Sequence, residues 1–344
     1  MVNAPEKPLE QDRREQPKLS WSAHFQIILG ALFIFLVFTV VYFFLSSGQS
    51  GDKLSQTIRY GVATGLEILI VLFIQTAFDI FFTNKPAMSY ATQFETRARQ
   101  FGLRKPKNGL IITRDTLLIL LCALVPMDFL TYLIPGILPF IANSRVGVFF
   151  NGFSLAAFVG IGFVYNLFTG IKEEFVFRGY FLQRFKESGK PQSAWLCTAA
   201  LFASLHVSLD SIPLFPAGPL LWFLTALLAG LLFGGYVLTT KRLLPVILAH
   251  GIGDFISSTS IWTYFTTNAF VGGMMYSFLF LFYGPMLVAG IVLALLFRQT
   301  IKGARKALKR LSSALWHRMS PRDWLLMIVV IVILWSISLL GISY

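Results

Sequence analysis

The chain has 344 residues, of which 56% are hydrophobic, 15% aromatic and 13% charged, with a net charge of +13 and a mean hydropathy of +0.69. That balance excludes an ordinary soluble domain, and apolar runs of about 20 residues that recur along the chain are too long and uniform for barrel strands. The basic residues lie mainly between these runs, where they set membrane topology and carry no nucleic-acid signal, while Cys122 and Cys197 fall inside apolar runs and offer neither a disulfide framework nor a cysteine zinc site.

In chain order, residues 1–21 are polar, mixed in charge and broken by Pro5, Pro8 and Pro17, which predicts a cytoplasmic tail. The apolar run 22–47 lacks a small-residue cleavage pattern and reads as an anchoring span. Further spans are expected at 60–83, 116–142, 152–186, 192–209, 219–239, 243–265, 270–297 and 324–343. The expected fold is an all-α polytopic membrane protein of eight to nine transmembrane helices, with a cytoplasmic N-terminus. It would be a multi-pass protein of the cell membrane if the chain is bacterial. The basic residues support that orientation: they gather in the tail, between Lys85 and Arg114, between Arg184 and Lys190, at Lys241–Arg242 and between Arg298 and Arg322. Only Lys53, Arg59 and Arg145 fall in loops on the opposite side. Within the last basic segment, Ile301, Ala304, Leu308, Leu311 and Leu315 recur at helical spacing among lysines and arginines, predicting an amphipathic interfacial helix near 301–318 that meets anionic lipid.

Ionisable residues at membrane depth are costly, so each needs a reason. Glu67 and Asp128 stand alone and read as structural hydrogen-bonding groups; Asp79 and His24 lie toward the ends of their runs, near the interface. Three sets occur at helical spacing: Glu173-Glu174-x-x-x-Arg178, Phe202-x-x-x-His206 and His250-x-x-x-Asp254. Glu174 and Arg178 are i and i+4 and can pair, whereas Glu173 lies about 100° further round and is left to face a cavity. Phe202 can pack beside the His206 ring. Gly251 and Gly253, between His250 and Asp254, allow close approach of another helix.

Depth decides whether these sets can meet. His206 lies ~21 Å from Gln192 and His250 ~12 Å past Arg242 at 1.5 Å per residue. Glu173 reaches a matching depth, ~20 Å from Lys186, only if the fourth span runs unbroken to Lys186. Residues 171–186 contain no proline and ample apolar surface, so that long helix is expected, tilted or bent near Gly160, Gly162 or Gly170.

"EEFVFR", "FASLH" and "HGIGD" resemble, in order and spacing, the EExxxR, FxxxH and HxxxN/D motifs of the CPBP (ABI) family of intramembrane proteases. That family includes the CAAX prenyl endopeptidases and bacteriocin-immunity proteins. The resemblance covers about Ser154 to Ser260 and implies a catalytic core at 151–265. Membrane helices would flank it at 22–150 and 266–344. It implies an intramembrane endopeptidase acting on membrane-associated or lipidated peptides near the cytoplasmic face. Glu173 would activate water with His206, His250 and Asp254 would stabilise the oxyanion, and Glu174, Arg178 and Phe202 would support them. Some members carry asparagine where this chain has Asp254, and a carboxylate donates only when protonated. Two readings follow: His250 donates while Asp254 orients it, or Glu173, His206, His250 and Asp254 hold a divalent ion such as zinc. Two other classes of function use the same residues. One is a non-enzymatic immunity or chaperone-like binding protein. The other is a proton-coupled transporter, although the repeated halves and broken helices of transporters are missing.

Overall fold

The computed structural model describes residues 52–82, 108–187, 191–207, 212–267 and 274–318, with single positions between 321 and 332. The expected tail 1–21, the span 22–47 with His24, and most of 324–343 lie outside the described residues. All regular structure among the described residues is helical. The helices are α1 (Lys53–Phe82), α2 (Gly109–Tyr132), α3 (Ile137–Ala142) and α4 (Arg145–Phe149). Next come α5 (Leu155–Phe181, continued by Leu182–Glu187), α6 (Pro191–Ser204) and α7 (Gly218–Thr240). Last are α8 (Leu244–Thr266), α9 (Met274–Leu296) and α10 (Arg298–Arg318). Six of them, α1, α2, α5, α7, α8 and α9, are long and apolar enough to cross a membrane. The fold is therefore an all-α polytopic membrane bundle.

Two expected spans differ in extent. The run 116–142 is not one helix: α2 starts earlier, capped by the Asn108 side chain on the Leu110 amide at 2.9 Å, and ends at Tyr132. Pro135 and Gly136 then turn the chain, with Gly136 at φ 90°, before α3 begins. The run 192–209 yields only the 14 residues of α6, ~21 Å of helix, short of a full crossing. The described helix ends at Ser204, so His206 sits on the turn beyond it.

The expected long helix does form. α5 runs unbroken from Leu155 to Glu187 and contains two π-helical stretches, Phe158–Gly162 and Phe175–Phe181. The first coincides with two of the glycines at which bending was expected. The second starts immediately after Glu174 and includes Arg178. Such insertions of a wider turn recur at functional sites.

α5 meets α8 at backbone contact. A Cβ placed on Gly170 would lie 2.7 Å from the Gly251 nitrogen and 2.9 Å from the Ile247 carbonyl oxygen. One on Gly251 would lie 3.0 Å from the Leu167 Cα. Small residues at a crossing allow this approach inside a membrane. One turn further along α5, this approach sets Glu174 beside His250, the neighbour of Gly251 on α8.

At one end of the bundle, buried Asp115 at the start of α2 accepts from Arg114 Nη2 at 2.6 Å, Tyr236 Oη at 2.7 Å and Arg242 Nη1 at 3.0 Å. This clasp ties α2 to the end of α7 and the start of α8. α10 lies at the same basic end and lays Leu308 against Gly235 of α7, with Leu311 reaching the core.

Replacing Gly170 with Ala should force α5 and α8 apart, because the atoms in the way are backbone. The expected cost is about 1–3 kcal/mol of stability, read as a lower unfolding temperature in detergent, together with loss of whatever activity needs Glu174 beside His250. An unshifted unfolding temperature would show that the crossing has slack.

Candidate active site

The charged residues of the second π-helical stretch and the turn before it face the bundle interior. Glu174 is 0% exposed and Arg178 is 1% exposed. Arg178 Nη1 donates to Glu174 Oε1 at 2.6 Å, the expected i, i+4 pair. The guanidinium is sandwiched between aromatic rings, 4.1 Å from the Phe202 centroid and 5.1 Å from that of Phe233. Cation–π contact of this kind compensates part of the lost hydration.

The same Glu174 oxygen also takes a hydrogen bond from His250 Nδ1 at 2.7 Å. Sequence reasoning gave Glu174 only Arg178 as a partner. The added bond crosses from α5 to α8, and no local spacing announces it. A carboxylate held by Arg178 acts as acceptor, so His250 Nδ1 carries the hydrogen and Nε2 is turned toward Glu173 and Asp254. His250 Nε2 lies 3.3 Å from Asp254 Oδ2 and 3.8 Å from Glu173 Oε2. Phe202 and Phe233 flank the His250 ring at 5.9 and 5.3 Å.

His206 arrives by a different route. Its Nδ1 bonds the Phe202 carbonyl oxygen at 2.9 Å, closing one of the open carbonyls at the end of α6. A carbonyl oxygen only accepts, so this hydrogen too sits on Nδ1, and Nε2 faces Glu173 Oε2 at 4.0 Å. Phe202 packs tilted against the ring at 4.5 Å and Trp222 of α7 lies edge-on to it at 6.2 Å.

All four sequence-selected residues, Glu173, His206, His250 and Asp254, thus meet, with Glu174, Arg178 and Phe202 behind them. Gaps of 3.8 and 4.0 Å are too long for direct hydrogen bonds, yet a single water can touch Glu173 and an imidazole at once. Glu173 Oε2 and Glu174 Oε2 are buried and have no hydrogen-bond partner among the described residues. The donor types would suit a divalent ion. As placed, they are not spaced as ligands of one: among the described residues no three His, Cys, Asp or Glu side chains form a group able to hold a metal.

Elsewhere, Asp128 and Glu67 remain without hydrogen bonds to the described residues, and the Asp79 side chain lies outside them. Tyr132, one turn after Asp128, bonds Ser257 across α2 and α8.

Replacing Arg178 with Met would leave Glu174 buried beside only a histidine. A loss of about 3–5 kcal/mol is expected, read by thermal or denaturant unfolding of the purified protein. An unchanged transition would show that Arg178 does not hold Glu174.

Residues 155–256 match the family model described as type II CAAX prenyl endopeptidase Rce1-like. No curated protein and no solved structure matches the chain. The matched segment begins with α5 and ends two residues past Asp254, so it contains every residue of the site just described. Residues 155–256 are thus similar to the membrane-embedded domain of the CAAX-protease (CPBP) family, a match that supports, in general terms, an intramembrane endopeptidase of the CAAX type.

Proposed function

We propose that Glu173 is the general base of this endopeptidase and that it acts on water without a metal ion. The observation that carries the reading is the position of Glu173 Oε2 between the Nε2 atoms of His206 and His250. With its hydrogen on Nδ1, His206 offers an Nε2 lone pair that orients the water. Glu173 takes one proton as the water oxygen bonds to the scissile carbonyl carbon. The carbonyl oxygen becomes an oxyanion. His250, donating through Nδ1 to Glu174, can donate through Nε2 to that oxyanion as an imidazolium, with Glu174 and Asp254 as its counter-charges. The proton on Glu173 passes to the amine as the C–N bond breaks.

The substrate we infer is a membrane-associated or lipidated peptide that enters from the cytoplasmic side. The basic end of the bundle supports this orientation. There, Lys302, Arg305, Lys306, Lys309 and Arg310 of α10 join Lys186 and Lys241. Burial, and then the nearby Lys186 ammonium, hold Lys241 below the usual lysine range, at about 8. Two crowded ammonium groups are relieved by an anion, and an anionic lipid headgroup is the partner proposed for this end.

Protein reconstituted in liposomes with a peptide library that includes farnesylated CAAX peptides tests the base. Glu173→Gln should lower cleavage ~10²- to 10⁴-fold at an unchanged unfolding temperature. A variant as active as the wild type would remove Glu173 from the mechanism.

Elemental analysis before and after exhaustive chelation tests the metal-free scheme. Cleavage should continue in protein free of stoichiometric metal. An ion lost together with activity, and also lost in Asp254→Ala, would replace the glutamate base with metal-bound water.

A further inference from the structure

α1 lies outside the segment matched by the family, yet its inner face is polar at one place. Leu54, Ile58, Val62, Leu66, Leu69 and Phe73 are exposed along one side of the helix. The opposite side, through Thr57, Tyr60, Thr64, Glu67 and Val71, is buried. That buried face packs on α5: Tyr60 stacks on Tyr165 at 4.7 Å, its hydroxyl lies 3.3 Å from Thr169 Oγ1, and Gly61 abuts Phe168. The helices run in the same direction, so the next turns of this face, Thr64 and Glu67, lie opposite the turns of α5 that follow Thr169.

Thr64 and Glu67 are 2% and 4% exposed. Thr64 Oγ1 and Glu67 Oε2 have no hydrogen-bond partner among the described residues. Thr57, two turns earlier, gives its hydroxyl to the Lys53 carbonyl at 3.0 Å, and Thr169 does the same to Tyr165 at 3.2 Å. Thr64 does not close on its own helix in this way. Glu67 is within electrostatic reach of Lys172 and Glu173. Successive α5 residues are about 100° apart, so Glu173 falls in the angle between Lys172 and Glu174. Lys172 reaches over the Tyr60 ring of α1 at 4.9 Å, and Glu174 bonds His250 of α8. A buried hydroxyl and carboxylate without partners are costly in an apolar surround, and ordered water held by several polar groups is the usual remedy.

We propose that Thr64 and Glu67 are water-positioning residues, which with Lys172 hold a buried pocket of ordered water that replenishes the nucleophilic water at Glu173. This rests on the reading of Glu173 as the base. Hydrolysis consumes one water per bond cut, and the membrane around α1 and α5 supplies none. Glu67 and Lys172 would hold this water on the α1 side of α5, beside the base.

The test uses the full chain in liposomes and a peptide that the wild type cleaves. Thr64→Val and Glu67→Leu should lower kcat ~10- to 100-fold while KM stays within about twofold, since substrate binding is untouched. Their unfolding temperatures should hold or rise, because each removes a buried polar group that has no protein partner among the described residues. Thr64→Ser and Glu67→Gln, which still bind water, should retain most of kcat. Wild-type kcat in Thr64→Val and Glu67→Leu would overturn the pocket, as would losses of kcat that track a falling unfolding temperature. Glu173→Gln run alongside separates the two ideas. If it cleaves normally, the base is wrong whatever the α1 variants do; if it alone is inactive, only the pocket is wrong.

Discussion

One carboxylate oxygen organises the interior of this protein. Glu174 Oε1 receives Arg178 from its own helix and His250 from the facing helix, at 2.6 and 2.7 Å. Neither group could remain in the membrane alone, since an unpaired buried charge costs several kcal/mol. The arginine fixes the carboxylate, the carboxylate fixes the tautomer of His250, and the tautomer decides which ring nitrogen looks at Glu173. The reactive-looking geometry is thus set one layer behind the residues that form it.

That layer depends on backbone proximity. Gly170 and Gly251 let α5 and α8 touch, which brings two side chains of ordinary length into one hydrogen bond. The π-helical stretch that follows Glu174 changes the facing of the residues after it, and all seven from Phe175 to Phe181 are buried. Seven residues cover more than a full turn, so at this level α5 is enclosed by the bundle on every side. The aromatic rings of Phe202 and Phe233 then serve both charge centres: each flanks the Arg178 guanidinium and the His250 ring.

Much of this was readable in advance because membranes impose strong rules. Charges at depth are rare, so Glu173, Glu174, Arg178, His206, His250 and Asp254 stand out, and a depth count along the helices places them together in the inner half to middle of the membrane. Contacts set by tertiary packing were not readable. The Glu174–His250 bond depends on a crossing whose angle no single segment encodes. The early end of α6 is hidden because Leu205, Val207 and Leu209 carry the hydropathy past Ser204, and hydropathy does not distinguish helix from a buried turn. The break after Tyr132 did carry a signal, Pro135–Gly136, which the apolar run around it outweighed. In sequence Glu67 stands alone and reads as structural, since its neighbours on α5 are distant along the chain.

The distribution of unsatisfied polarity separates scaffold from site. Across the helices, threonine and serine hydroxyls mostly return to a carbonyl one turn back, as in Thr131, Ser204, Thr225 and Thr259. Those groups contribute nothing further and cost little. Among the described residues, buried side-chain atoms without a partner occur on Thr64, Glu67, Glu173, Glu174 and Arg178, and otherwise only on Gln192 and Ser193 at the start of α6. Five of these residues belong to α1 and α5 around one point. A fold that satisfies its polar atoms almost everywhere and leaves them open at the level of Glu173 has kept hydrogen-bonding capacity for something that is not protein. In an apolar surround such capacity is costly unless water or substrate uses it. This concentration joins α1 to the α5–α8 site more directly than any single contact does.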